Sequence, residues 1–579
     1  MEVARRIDGG EICARCLELA GVEDVFVLHG GHLDPILQAC LDRGIRLIDT
    51  RHEAAAGHAA DAYARHTGRC SVAMATAGPG FTNILTAVAQ AYLDCTPMLV
   101  IVGAPPLRDV ERWPLQGGID QVAIARPMTK SATQVTRTEL IPHLMGHALR
   151  EAVDGRPGPV LLEIPIDVLF NRVPLQDVTF LPHQGVPPRP APHARQVAEI
   201  LAALSAAKRP AMLCGGGMLY ADAAAELRRF ATASGIPVYA NNKARGMMPA
   251  EHPLCAGAHT NMKVAEISGL GGPDVLLVLG ARFGMFTEPG MLGPGRIPPD
   301  DCRIIQVDTS GVELGRIRPA HPAVQADCGA VLRALLAASA GFDWPDWSSW
   351  SSAVGRIRSW HRDAYEEAVR ASGEARRIHP YQAVSEVMRV LGDDAIVCAD
   401  GGEASFWAEM VVSPARPGGL MSHGYLGCLG IGVPFAIGAQ VAHPDSRVAV
   451  ITGDGSMGFH LQELDTLVRH GLPVVTIVLN NKAWGMCVHG QQAMYGGNRL
   501  VATRLGDARY DLAAAGLGCH GEHVERVEDI APAVERALAS GMPACIDIIV
   551  DLDAIPASAP KEATAEREDG QVVLPYYDA

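Results

Sequence analysis

The chain has no surplus of positive charge, no long apolar run and no cysteine framework. Its formal charge of −15 over 579 residues, with no basic stripe, argues against nucleic acid or an anionic membrane as partner, since both need a basic face. No apolar stretch approaches the ~18 residues needed to cross a bilayer. Met1-Glu2-Val3-Ala4-Arg5-Arg6 leads into an amphipathic segment and not into a signal-peptide core, so a cytoplasmic protein is expected. The 14 cysteines lack framework spacing, and Cys13-Ala14-Arg15-Cys16 has no second pair to complete a zinc site. Two apolar positions three apart on a helix explain that pair, and the thiols are expected to be reduced and mostly buried.

What is present is repetition of βα text. A length of 579 residues exceeds one core, and at about 150 residues per domain it predicts three or four. Up to about residue 180, helix-like stretches alternate with the β-type runs Val25–Leu28, Leu47–Asp49, Ser71–Met74, Met98–Val102 and Val160–Ile164. The Pro-rich segment His183–Pro192 reads as a linker. A second unit carries runs at Ala211–Leu213, Val238–Ala240, Val275–Leu279 and Arg303–Val307; its Gly215-Gly216-Gly217 reads as a plain turn or a phosphate cradle. Trp344–Trp360 bridges to a third unit. The expected fold class is α/β, with three doubly wound parallel-sheet domains at 1–182, 194–340 and 375–555 and a tail or lid at 556–579.

The third unit holds the most specific text. Val448–Ile451 runs into Gly453-Asp454-Gly455-Ser456, and Val474–Leu479 runs into Asn480-Asn481, with an amphipathic stretch between them. In one βαβ unit the two strands are parallel and commonly neighbours, so Asp454 and Asn481 meet at one sheet edge. A carboxylate and an amide oxygen beside a helix N-terminus suit a hard cation that also holds phosphate oxygens, here a magnesium diphosphate. Gly455 permits close backbone approach and Ser456 can donate to a phosphate oxygen. A rival lies in the same residues, because Gly453-x-Gly455-x-x-Gly458 matches the dinucleotide fingerprint. That fingerprint wants an acidic residue at the end of the next strand, where this chain has Asn481. In the first unit, Glu53 opens a helix beside Ala54, Ala55 and Ala56, where it can exchange a proton with a ligand nitrogen or simply favour the helix dipole.

Glu53 after Arg51-His52, Gly78-Pro79-Gly80-Phe81-Thr82-Asn83, and Gly453–Ser456 through Asn480-Asn481, in that order, resemble the thiamine-diphosphate-dependent enzymes of the acetohydroxyacid synthase and pyruvate decarboxylase superfamily. The resemblance covers nearly the whole chain. Leu28-His29-Gly30-Gly31-His32, Asp49–Ala60, Leu115–Ala123 and His423–Gly427 are most similar to the benzaldehyde lyases. The resemblance implies a pyrimidine-binding N-terminal domain, a central domain and a diphosphate-binding C-terminal domain, assembled as a dimer of dimers. It implies that thiamine diphosphate and Mg²⁺ bind, with Asp454, Asn481 and the carbonyl of Ala483 on the metal. It places Glu53, from across a dimer interface, on the aminopyrimidine, and Leu429 as the wedge that bends the cofactor. Gly78, Asn83, Gly402, Ala404, Gly427, Gly455 and Ser456 would touch the cofactor. His32 becomes the acid and base for a substrate hydroxyl, with Gln116 and His29 beside it.

The activity so implied is the making or breaking of 2-hydroxy ketones, with an acetolactate synthase-like decarboxylating synthase as the alternative and a nicotinamide or flavin oxidoreductase as a distant one. Around Gly31, the pocket departs from the benzaldehyde lyase pattern. Aromatic positions are taken by Ile166, Ser405 and Gly490, and a small one by Met486, which removes stacking surface and reshapes the cavity. The expected substrate is an aliphatic or bulkier acyloin, a short aldehyde or a 2-oxo acid.

Overall fold

The computed structural model describes residues 5–181, 189–284, 287, 297–358, 360–371, 377–497 and 499–556. Most of the expected linker and nearly all of the expected tail lie outside these residues. Three six-stranded sheets, every one entirely parallel, account for the core. This is the expected fold class. Their strands fall within 24–165, 210–325 and 396–549. Central strands such as Met98–Ala104 and Val275–Leu279 are buried along their whole length, because helices cover both faces of each sheet.

Counting strands in chain order within each sheet, the first and third share the spatial order 2-1-3-4-6-5, while the middle sheet runs 3-2-1-4-5-6. In the outer sheets the order reverses between the first and third strands. That switch point opens a crevice at the carboxyl edge where ligands settle. In the first sheet it lies after Asp24–Val27 and Ser71–Ala75; in the third, after Ile396–Ala399 and Val448–Gly453. The turns after these four strands carry His29 to His32, Gly78 to Asn83, Gly402 and Asp454, while Glu53 follows Arg46–Asp49 and Asn481 follows Val475–Asn480.

The outer sheets share one core, in which Phe26, Ala73 and Val100 pack in the same cluster as Cys398, Ile437 and Val450. At its centre the helix Glu53–Thr67 lies on the helix Gly432–Ala442. Small residues allow the approach: a Cβ at Gly438 would stand 2.0 Å from the carbonyl oxygen of Ala59. A buried charge network pins the middle unit to this pair. Arg65 binds Asp61 (2.7 Å) and Asp94 (2.8 Å), and Lys243 of the middle unit reaches Asp94 at 2.9 Å. Trp347 and Trp350 donate their indole N–H groups to the carbonyls of Ala207 and Pro210, so these tryptophans belong to the middle core and are no mere bridge. Cys13 and Cys16 share the helix Gly9–Leu19, and all the cysteines are unbridged thiols. Among the described residues no helix is long and apolar enough to cross a membrane.

Candidate active site

In the third sheet, the strands Val448–Gly453 and Val475–Asn480 are parallel neighbours with Gly453 opposite Leu479. Two short helices, Asp454–His460 and Glu463–Arg469, connect them. Asp454 is 3% exposed. Burial pushes its carboxyl up to about 7, while N–H groups of Gly455, Ala483 and Lys482 pull the other way by hydrogen bonding. The carboxylate therefore lies on the turn that follows the neighbouring strand, as the sequence predicts. The two asparagines divide their work. Asn480 turns inward, donating to Asp547 Oδ1 (2.9 Å) and accepting from the Lys482 N–H (3.2 Å). Asn481 stays in the turn, its Oδ1 accepting from the Ala483 N–H at 3.1 Å.

A second Gly-rich turn faces this one. A Cβ on Gly401 would come within 3.0 Å of Ser456 Oγ and 3.4 Å of the Gly453 nitrogen, and one on Gly402 within 3.2 Å of Met486 Cβ. The missing Cβ atom of Gly401 leaves a cradle beside the Gly453 nitrogen and the Ser456 hydroxyl. Among the described residues the buried Asp454 carboxylate has no ion-pair partner. A hard cation carrying a diphosphate fits this set, because it supplies the charge Asp454 lacks and puts oxygens against the cradle.

The first sheet builds a complementary cluster at its own switch point. Glu53, 6% exposed, heads its helix and accepts at Oε2 from Asn83 Nδ2 (2.9 Å). A Cβ on Gly80 would sit 3.3 Å from Glu53 Oε1 and 2.8 Å from Thr76 Cγ2, so all three share one wall. Thr76 in turn meets His32, Oγ1 to Nδ1 at 3.1 Å. His32 is half-buried, and desolvation lowers its imidazole below the usual value, which keeps it neutral and able to accept a proton. Gly78 takes φ +62° and its N–H donates to Gln121 Oε1, whose amide donates to Glu163. Gln116 lies against Gly78 with a positive φ of 62°, a strained backbone of the kind that collects at functional sites.

Other predicted residues stand apart. His29 is exposed and bound to Asp34 at 2.7 Å, and Gly31 is exposed with open space around it. Ile166 lines a groove with Pro106, Arg137 and Phe170. Ser405 is buried and donates its hydroxyl to the carbonyls of Gly401 and Gly402, so it offers a cavity no polar group. Gly490 is buried within the helix Gly485–Tyr495. Leu429 is half-buried and Gly427, at φ +68°, faces open space. Ala404 abuts Gly453.

Sequence reasoning missed Asp400, Thr76 and the buried pair Glu403–His489 (2.5 Å). An Asp-Gly after the apolar run Ile396–Ala399 was the available signal for the first; nothing local marks the others.

Within one chain the two clusters approach each other through their flanking residues. Arg51 N–H donates to Glu463, and the His52 and His460 rings stand 5.7 Å apart, at the far end of the helix that Asp454 begins. No hydrogen bond or ion pair among the described residues joins Glu53 to Asp454. Beside the first cluster, Trp113 and Leu115 are 85% and 87% exposed.

Comparison with known proteins gives the domain types. Residues 7–124 match the N-terminal TPP binding domain of thiamine pyrophosphate enzymes, residues 197–335 the central domain and residues 400–548 the C-terminal TPP binding domain. The chain is 33% identical to the acetolactate synthase large subunit of Mycobacterium tuberculosis, over 95% of this chain and 96% of that one. It is 31% identical to a probable acetolactate synthase large subunit of Methanocaldococcus jannaschii (95% and 93%), and 32% identical to 2-hydroxyacyl-CoA lyase 2 of Homo sapiens (94% and 90%). The narrower likeness to benzaldehyde lyases rests on the sequence motifs alone. With all three domain types matched in order and relatives more than 30% identical over nearly the whole chain, the chain belongs to the thiamine-diphosphate-dependent enzymes.

Proposed function

We propose that the protein is a carboligase that joins two carbonyl-derived carbons, with a 2-oxo acid as donor; its similarity to acetolactate synthases supports this reading. The observation that carries this reading is the buried, unpaired Asp454 at the turn of Asn481, matched by Glu53 and Asn83 on the other sheet. When bound, thiamine diphosphate supplies a carbon nucleophile and an electron sink. Asp454, Asn481 and the Ala483 carbonyl would hold Mg²⁺, while Gly455 and Ser456 would donate to the diphosphate. Glu53, oriented by Asn83, would hold a proton at the pyrimidine end of the cofactor. Leu429 would pack against the bound cofactor, and Gly402, Ala404 and Gly427 would let backbone groups come close. Met486, packed on Gly402, narrows the substrate space. A second chain completes each site by lending its Glu53.

A second reading, cleavage of a 2-hydroxy ketone, is favoured by His32. Its Nδ1 is held by Thr76, which leaves Nε2 to take a hydroxyl proton in cleavage or return it in ligation, with Gln116 near the same oxygen. One incubation separates the two. Purified protein with thiamine diphosphate and Mg²⁺ is given pyruvate, or an acyloin, and CO₂ and aldehyde are measured. CO₂ with a ligated product supports the synthase; aldehyde from acyloin without CO₂ supports the lyase; neither product from a protein that binds no thiamine diphosphate ends both.

A further inference from the structure

Three segments of the C-terminal half converge on one carboxylate that neither sequence motifs nor cofactor contacts single out. Asp400 is 2% exposed. Its Oδ1 accepts from the Gly430 N–H at 3.0 Å; its Oδ2 accepts from the Gly432 N–H at 3.0 Å and from Thr452 Oγ1 at 3.3 Å. Its own N–H donates to the carbonyl of Ile451 at 2.9 Å. Asp400 opens the loop to Gly401 and Gly402; Gly430 follows Leu429; Thr452 stands two residues before Asp454.

The Gly430 turn is held from the other side as well. Its carbonyl accepts from His460 Nδ1 at 2.7 Å, at the end of the helix that Asp454 starts. With φ at +79°, a Cβ on Gly430 would stand 2.3 Å from Phe459 Cβ, so the turn packs directly on that helix. Two N–H groups two residues apart need two acceptor oxygens with a fixed spacing. A carboxylate supplies both, whereas an amide or a hydroxyl supplies one.

We propose that Asp400 is a positioning residue: it locks the Leu429–Gly432 turn against the Gly401–Gly402 loop and the Thr452–Asp454 strand end, so that the wedge, the cradle and the metal turn are preset before any ligand arrives. The inference rests on the proposed cofactor roles of Leu429 and Asp454. Asp400 itself touches neither cofactor nor substrate; it acts through the turn.

The test uses the full-length protein with Asp400→Asn, and Thr452→Val as the milder variant. Amide hydrogen exchange at Gly430 and Gly432 is measured without ligand, and thiamine diphosphate affinity by calorimetry in excess Mg²⁺. In Asp400→Asn, exchange at one or both glycines rises about tenfold or more, as local opening becomes easier. Affinity for thiamine diphosphate falls by about tenfold, because the ligand must then order the turn itself. Thr452→Val raises exchange at Gly432 and spares Gly430, with an affinity loss of about two- to threefold. It decides the question where Asp400→Asn does not fold. Unchanged exchange and affinity in a folded variant overturn the proposal, and so does an affinity loss with no change in exchange. A wild-type protein that binds no thiamine diphosphate overturns the cofactor reading instead, while the exchange data still judge the clamp.

Discussion

Glu53 and His32 occupy one wall of the same cluster but are held for different work. Asn83 fixes one oxygen of Glu53 and leaves the other facing Gly80, so the carboxyl presents one free edge. Glu53→Gln keeps the shape and loses the exchangeable acid. Turnover is expected to fall by about 10²- to 10⁴-fold, the usual worth of a general acid or base. Thiamine diphosphate binding, followed by calorimetry, should persist; a variant with full rate would remove Glu53 from proton transfer. In the proposed role of accepting a hydroxyl proton, His32 acts only as neutral imidazole. Because burial holds its pKa below the ordinary 6.5, the neutral form persists to lower pH. The acid decline of acyloin cleavage should therefore set in at lower pH than an ordinary imidazole would give, read from the pH–rate profile. Replacing His32 with Ala should remove this acid limb along with most of the rate.

At the scale of elements, the contact between Glu53–Thr67 and Gly432–Ala442 aligns the two outer sheets. The first helix is buried almost all round, as its Ala-rich text requires, and Gly438 removes the one Cβ that would strike the Ala59 carbonyl. Gly438→Ala forces the helices apart or strains both. A loss of about 1–3 kcal/mol is expected, read as a lower urea midpoint, with activity falling further than stability because the second helix follows directly on the Leu429 turn. The strands at the edges show where element prediction fails. Ser131–Gln134 is polar at every position but Ala132, and Ala320–Gln325 exposes every other residue. These two edge strands need only one neighbour and one covered face, so neither carries an apolar run to read, whereas the edge strand Arg46–Asp49 keeps Leu47 and Ile48 and is legible.

Two predictions belong to the whole molecule. If each site takes Glu53 from one chain and Asp454 from another, mixing Glu53→Gln protein with Asp454→Asn protein under exchange conditions produces hybrids with one intact site. With statistical pairing of dimers, about a quarter of wild-type activity should return; recovery of none would place the site within one chain. The second concerns acid. His58, 1% exposed between Phe435 and His460, has its pKa lowered to about 3, first by burial. Between pH 6.5 and about 3 the unfolded chain takes up a proton there that the native state refuses, so this residue's contribution to stability falls as pH drops. His58→Gln lacks that linkage. The advantage of wild type over the variant in denaturant unfolding should shrink by on the order of 1 kcal/mol per pH unit below 6.5.

The local text of this protein determined its α/β class, its central strands and the meeting of Asp454 with the Asn481 turn, because hydrophobic period and the βαβ rule act over short stretches of chain. The roles of Glu53 and Leu429 came from family resemblance, since one Glu at a helix start reads equally as a dipole partner. Only the tertiary structure decided which asparagine turns inward and that the outer sheets share one strand order. It alone showed Asp400 gathering three segments. Each of these depends on where residues far apart in sequence are packed, and burial and hydrogen-bond partners exist only after the chain has closed on itself.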